Sequence, residues 1–238
     1  MPIKKEVTTL AYLKNVIAVV GCDGSGKSTL TADLIDQLSK KRPVQWLYLG
    51  QSSGNIADWI RSLPLVGAPF GRYLVRKAER AHSKEASAPD TLTAIAIFLL
   101  SLWRVHKFRR MLKLARRGVL VIADRYPQAE VSGFYFDGTG LNAANAQSCL
   151  ARLLLKQETR LYQWMASHRP TLLIRLNIDA ETAHARKPDH KLAMLREKVR
   201  VIPTLHFNGA TILDLDGRDP YPQVLASALK AIDAASAL

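Results

Sequence analysis

Five short apolar runs punctuate the chain, at 16–20 (VIAVV), 44–49 (VQWLYL), 119–123 (VLVIA), 171–178 (TLLIRLNI) and 210–213 (ATIL). Runs of this length without alternation are the pattern of strands covered on both faces. Between them apolar positions recur every three or four residues, as on one face of a helix. The interval 91–117 has no Pro or Gly and predicts one long helix closed by Gly118 at a C′ position. Further helices are predicted over 143–167, from Asp179 to a break at Pro188, in a short stretch capped by Asp189, and over 221–237. In the last of these Val224, Leu225, Leu229 and Ile232 form the buried stripe, and in the short one Leu192, Leu195 and Val199 do. Residues 55–90 contain Pro64, Pro69 and Pro89 and a basic run from Arg72 to Lys84, predicting short helices and a loop. Ser132 to Asn142, with three glycines, predicts a mobile loop. Strands alternating with helices give a parallel sheet wrapped on both sides, an α/β fold in one domain over residues 1–238.

The first apolar run leads into Gly21-Cys22-Asp23-Gly24-Ser25-Gly26-Lys27-Ser28-Thr29. Its last eight residues before Thr29 fit G-x-x-x-x-G-K-[ST], in the context of strand, glycine turn and helix start that this pattern needs. Glycines let successive N–H groups converge on one anion, and the helix that follows adds its positive end. The pattern makes residues 21–29 the binding loop for ATP, with Lys27 reaching the β- and γ-phosphates and Ser28 placed for Mg²⁺. The third run closes in Asp124, so that a carboxylate stands at the tip of a buried strand, opposite Ser28, as the second magnesium ligand. The fold expected is therefore a P-loop NTPase three-layer sandwich, a five-stranded parallel sheet flanked by helices.

The chain of 238 residues is 48% hydrophobic, enough for a real core, and no low-complexity tract divides it. Cys22 and Cys149 make neither a disulfide framework nor a metal spacing, which suits a reducing cytoplasm. The N-terminal residues lack a secretory pattern, and the apolar run 92–103 is too short to span a bilayer. It offers instead a buried helix or the face of a homodimer. A net charge of +14 favours anionic partners, and much of it lies between Arg104 and Arg117. Val105, Phe108, Leu112 and Ala115 share the opposite face of that helix, so a solvated basic face competes with a nucleic-acid or membrane contact.

Taken together, GCDGSGKST with an acid at its third position, Asp124-Arg125-Tyr126 six residues after Gly118, the strand ending Leu176-Asn177-Ile178-Asp179 and the basic segment after it resemble the thymidylate kinase-like branch of P-loop kinases. The likeness runs from Val16 to the final helix. It implies an ATP- and Mg²⁺-dependent transfer to a nucleoside monophosphate, dTMP to dTDP being the leading case. It gives Asp23 and Arg125 to the acceptor and its bridge to the donor, Arg104 to a second clamp on the acceptor phosphate, and residues 181–201 to a lid. Arg186 and Arg196, with Lys187, Lys198 and Arg200, would be that lid's cations, catalytic beside Lys27, Asp23 and Arg125. An arginine finger of this sort is worth roughly 10³–10⁵ in rate.

Two departures bear on the acceptor. The family's Arg-Glu-Pro is replaced by Gly50-Gln51-Ser52-Ser53, and position 100, where an aromatic would stack on thymine, is Leu. A kinase of the same fold acting on a nucleoside or a phosphorylated sugar or glycan is the nearest alternative. A nucleotide-gated protein using helix 104–117 on nucleic acid or membrane is a third.

Overall fold

The computed structural model describes residues 10–50, 91–141 and 148–236. The expectations for 51–54, for 55–90 with its basic run, and for 143–147 lie outside the described residues.

Strands β2 (Val16–Gly21), β3 (Val44–Tyr48), β4 (Leu120–Asp124), β6 (Leu172–Asn177) and β7 (Ile212–Asp216) form a five-stranded sheet in the order β3-β4-β2-β6-β7. All four pairings are parallel, with Val16 opposite Val121 and Ile17 opposite Leu172 on either side of the central strand. A second, two-stranded ribbon pairs β1 (Ala11–Tyr12) with β5 (His168–Arg169). These two-residue strands are too short to show a period, so the sequence pattern does not mark them.

Alternation along β2 divides the core. Val16, Ala18 and Val20 face α2 (Thr91–Arg116) and α3 (Cys149–Ala166), packing with Phe108, Met111, Tyr162 and Met165. Ile17 and Val19 face α1 (Lys27–Ser39) and α6 (Tyr221–Ser236), packing with Leu30, Leu34, Val224, Ala228 and Ile232. Helices thus cover both faces of a parallel sheet, the three-layer α/β arrangement of a P-loop NTPase. Each Val, Leu, Ile, Phe or Met side chain so withdrawn from water contributes about 1.5–3 kcal/mol.

Helix α2 ends as its sequence demands. Gly118 takes a left-handed φ of 79°, its N–H reaches the carbonyl of Ala115, and the N–H of Val119 reaches Leu114, a Schellman closure. Within it Val105, Phe108, Leu112 and Ala115 are buried, while Arg109, Arg110, Lys113 and Arg116, and Arg117 just after it, stay exposed. Ala94, Ile97 and Leu100 are covered by Leu141 and Ala151, so this apolar stretch is packed within the chain.

After β6 come α4 (Ala180–Arg186) and α5 (Leu192–Val201). Asp179 caps α4 by accepting from the N–H of Thr182. Asp189 does not cap α5: its N-cap is Lys191, which makes no side-chain cap bond, and Asp189 sits in the preceding turn. The last strand runs two residues later than its apolar letters suggest. It takes in Asp214 because Arg175 and Asn177 on β6 bind that carboxylate.

The segment 132–141 is less loose than its glycines imply. Phe134–Phe136 form a 3₁₀ turn, and buried Gln128 donates to the carbonyls of Val131 and Phe136 while accepting from the N–H groups of Glu130 and Val131. Glu158, fully buried on α3, accepts from the N–H groups of Gly140 and Leu141. Among the described residues no helix is long and apolar enough to cross a membrane.

Candidate active site

At the carboxyl ends of β2 and β4 the chain opens a cavity of about 760 Å³, walled by residues 23–30, Asp124, Arg125 and Arg186 among others. The loop between β2 and α1 forms its floor. Gly26, the N-cap of α1, has φ 97° and supplies no side-chain cap, so the first N–H groups of the helix keep their hydrogen-bonding capacity for an anion. Gly24, at φ 84°, is required for a different reason. A Cβ there would lie 2.6 Å from the carbonyl oxygen of Ala183, where α4 presses on the loop.

Lys27 is buried and donates to the carbonyl of Cys22 at 2.6 Å. Burial and then the nearby Arg125 lower its pKa, against the pull of Asp23 and Asp124. Asp124 is also buried, and its Oδ1 has no hydrogen-bond partner. Burial pushes its pKa up, opposed by Lys27 and Arg125. A carboxylate oxygen withdrawn from water with nothing to satisfy it is costly. Mg²⁺ is held by one or two protein oxygens with phosphates and water completing its shell, so Asp124 and the exposed Ser28 on the same cavity fit it. No cluster of three or more His, Cys, Asp or Glu side chains suited to a metal occurs among the described residues, so a self-contained metal cage is not what these residues build.

Asp23 stands where two cavities meet. It accepts from Arg125 at 3.0 Å and is paired with the ammonium of Lys198. Burial alone would raise its pKa, but Lys198 and Arg125 outweigh that and hold the carboxyl well below the usual range. A smaller cavity of about 170 Å³ shares Asp23, Tyr48, Arg125 and His190 with the first and adds Tyr135 and Asp137. Arg125 itself takes φ 65°, a left-handed backbone rare outside glycine and the kind of strain that gathers at functional sites. Its N–H is tied to Val19, and Tyr48 lies beneath its guanidinium at 5.9 Å.

Of the residues singled out from sequence, Asp23 to Thr29, Asp124, Arg125 and Arg186 line the larger cavity together. Gly21 is not on its wall. Cys22 contributes its carbonyl to Lys27, while its thiol is buried with Ile178, Ala183 and Leu195. Arg186 donates to the carbonyls of Gly24 and Gly217, linking α4 to the loop. Arg196 is exposed, bound to Glu181 at 3.0 Å, and on neither cavity wall. Arg104 is buried and bound to Asp137, also off both walls. The cation that α5 does bring to the site is Lys198. Its spacing three residues after Leu195 fits the buried face of the helix, but Arg196, four residues after Leu192, carries the same signal, so spacing alone does not separate the two. Asp137, Tyr48 and His190 had no such signal, since each reaches the site from a different loop or strand end.

No family model matches the sequence. The chain is 56% identical over 220 residues, 92% of its length and 93% of the relative's, to "Uncharacterized ATP-binding protein YghS" of Escherichia coli K12. It is 46% identical over 221 residues, 93% of its length and 88% of the relative's, to "Uncharacterized ATP-binding protein YghR" of the same strain. At these identities, over nearly the whole of both chains, the protein belongs to the family of YghS and YghR.

Proposed function

We propose that the protein is an ATP- and Mg²⁺-dependent phosphotransferase whose acceptor is a nucleoside monophosphate, with dTMP the first to test. The observation that carries the reading is the shared wall of the two cavities: Asp23 and Arg125 border both, as a two-substrate transfer between adjoining sites requires. The relatives YghS and YghR are named as ATP-binding proteins, which supports the donor half.

In the reaction an acceptor phosphate oxygen bonds to the γ-phosphorus, the bond from that phosphorus to the β–γ bridging oxygen breaks, and the electron pair leaves with ADP. Transfer of this kind needs positioning and positive charge more than covalent help. The loop N–H groups and Lys27 hold the triphosphate. Arg125, fixed between Asp23 and Asp137, meets the acceptor phosphate. Lys198 and Arg186 close the lid side against water. A magnesium ion held by Asp124 and Ser28 would neutralise charge on the β- and γ-oxygens.

A second reading, a phosphorylated sugar or glycan as acceptor, is favoured by one observation. Leu100 is packed inside the chain, and the rings near the smaller cavity are Tyr48, Phe134 and Tyr135 instead. The test is ADP release by the purified protein across dTMP, other nucleoside monophosphates, nucleosides and sugar phosphates. Acceptor-dependent ADP with dTMP is expected; none with any nucleotide would end the first reading. Arg125→Ala should lower kcat at least about 100-fold with ATP affinity little changed, and an unaltered kcat removes Arg125 from its role.

A further inference from the structure

The family resemblance makes Arg104 a direct clamp on the acceptor, but its surroundings argue for different work. It is 1% exposed. Its Nη1 donates to the carbonyl of Asp137 at 3.2 Å and its Nη2 to Asp137 Oδ1 at 3.0 Å. Tyr162 lies under the guanidinium at 5.6 Å. Asp137, in turn, has a left-handed φ of 63° and presents Oδ2 to Arg125 Nη1 at 3.7 Å. Arg125, left-handed as well, is gripped from the other side by Asp23.

We infer that Arg104 and Asp137 are a buried positioning pair that holds Arg125 at the boundary of the two cavities, and that Arg104 does not touch the acceptor. The inference deepens the kinase reading and rests on it for the chemistry. A two-point grip on one residue's carbonyl and carboxylate fixes both its place and its orientation. A buried guanidinium is tolerable only when so paired, because removing either partner leaves an uncompensated charge. A long, flexible arginine side chain needs carboxylates on two sides to keep its head within the roughly 1 Å that in-line transfer tolerates. Asp23 supplies one side, and Asp137 the other because Arg104 keeps it there.

Arg104→Lys, Asp137→Asn and their combination test this in the full chain. Each single change should lower dTMP-dependent kcat about tenfold or more, with KM for ATP and dTMP within about threefold, and the double should be no worse than the poorer single by more than about twofold. A tenfold rise in KM for dTMP at unchanged kcat in Arg104→Lys would make Arg104 a direct clamp and overturn the inference. So would an unchanged kcat in Asp137→Asn, or effects that multiply in the double. If the wild type transfers to no acceptor, the kinase reading falls alone and side-chain NMR of arginine-labelled protein judges the pair. Displacement of the Arg125 Nε–Hε signal in both variants sustains it; an unmoved signal sinks it. Should the variants fail to melt cooperatively, wild-type protein titrated with inorganic phosphate decides. An Arg104 signal that stays fixed supports the pair, and one that shifts overturns it.

Discussion

Asp124 and Lys27 show at single-residue scale what this site costs the fold. Asp124 keeps a buried oxygen unsatisfied and Lys27 a buried ammonium whose pKa is lowered, so neither is there for stability. Lys27→Ala and Asp124→Ala should each abolish turnover while thermal melts stay cooperative; loss of the transition in both would make their role structural. Lys107 gives a pH prediction. Burial, and then repulsion from Arg104, bring its pKa down to about 7, with Asp137 opposing; its ammonium donates to Gly50 and lies 5.3 Å from the ring of Tyr48. The unfolded chain, with an ordinary value near 10.5, holds its proton more tightly. Stability from this residue therefore rises as pH climbs from about 7 towards 10.5. Urea midpoints measured from neutral to alkaline pH should show that slope reduced in Lys107→Met; an identical slope in the variant would assign it elsewhere.

Between elements, α5 is tied to the sheet by a buried side chain. Arg175 on β6 binds Asp214 on β7 through two nitrogens at 2.6 and 2.8 Å, and its third reaches the carbonyls of Ile202 and Leu205 just after α5. This anchors the far end of the helix that carries Lys198 to Asp23. Arg175→Met should destabilise the protein by about 2–3 kcal/mol, since the two carbonyls lose this donor and Asp214 keeps only Asn177, although the half-exposed Asp214 recovers part by hydration. Urea denaturation reads this, and a change under about 0.5 kcal/mol would remove the anchor. The element pattern itself was largely legible. Hydrophobic period and glycine placement gave β2, β4 and α2 nearly to the residue, and the start of α1. The pattern missed β1 and β5, which are too short to carry a period, and placed β7 early because its acids are sheltered by partners elsewhere, Asp214 by Arg175 and Asn177 on β6 and Asp216 by Arg218 just past the strand.

The whole chain carries a net charge of +14, and Arg109, Arg110, Lys113, Arg116 and Arg117 gather part of it on the outer face and end of α2. Arg110, Arg116 and Arg117 are exposed, and no acid pairs with them among the described residues. The chain turns at β2, with β4 on one side and β6 on the other, so the cavities sit at the carboxyl end of the sheet. The end of α2 that leads into β4 lies at the opposite edge. Changing Arg110, Arg116 and Arg117 together to Gln should leave melting and turnover within experimental scatter and lower the salt needed for elution from heparin. A fall in turnover would tie this face to the reaction.

The sequence alone determined the sheet, the phosphate loop, Asp124 at a strand tip and the two short helices after β6, because each depends on local period, glycine freedom or the chemistry of a contiguous motif. Only the tertiary structure decided which cations serve the site. Lys198 turns in to Asp23, Arg196 turns out to Glu181, and Arg104 is held by Asp137 away from the cavities. Charge in a sequence has no direction. It acquires one when helices pack, and burial then selects the partners that each charge must have.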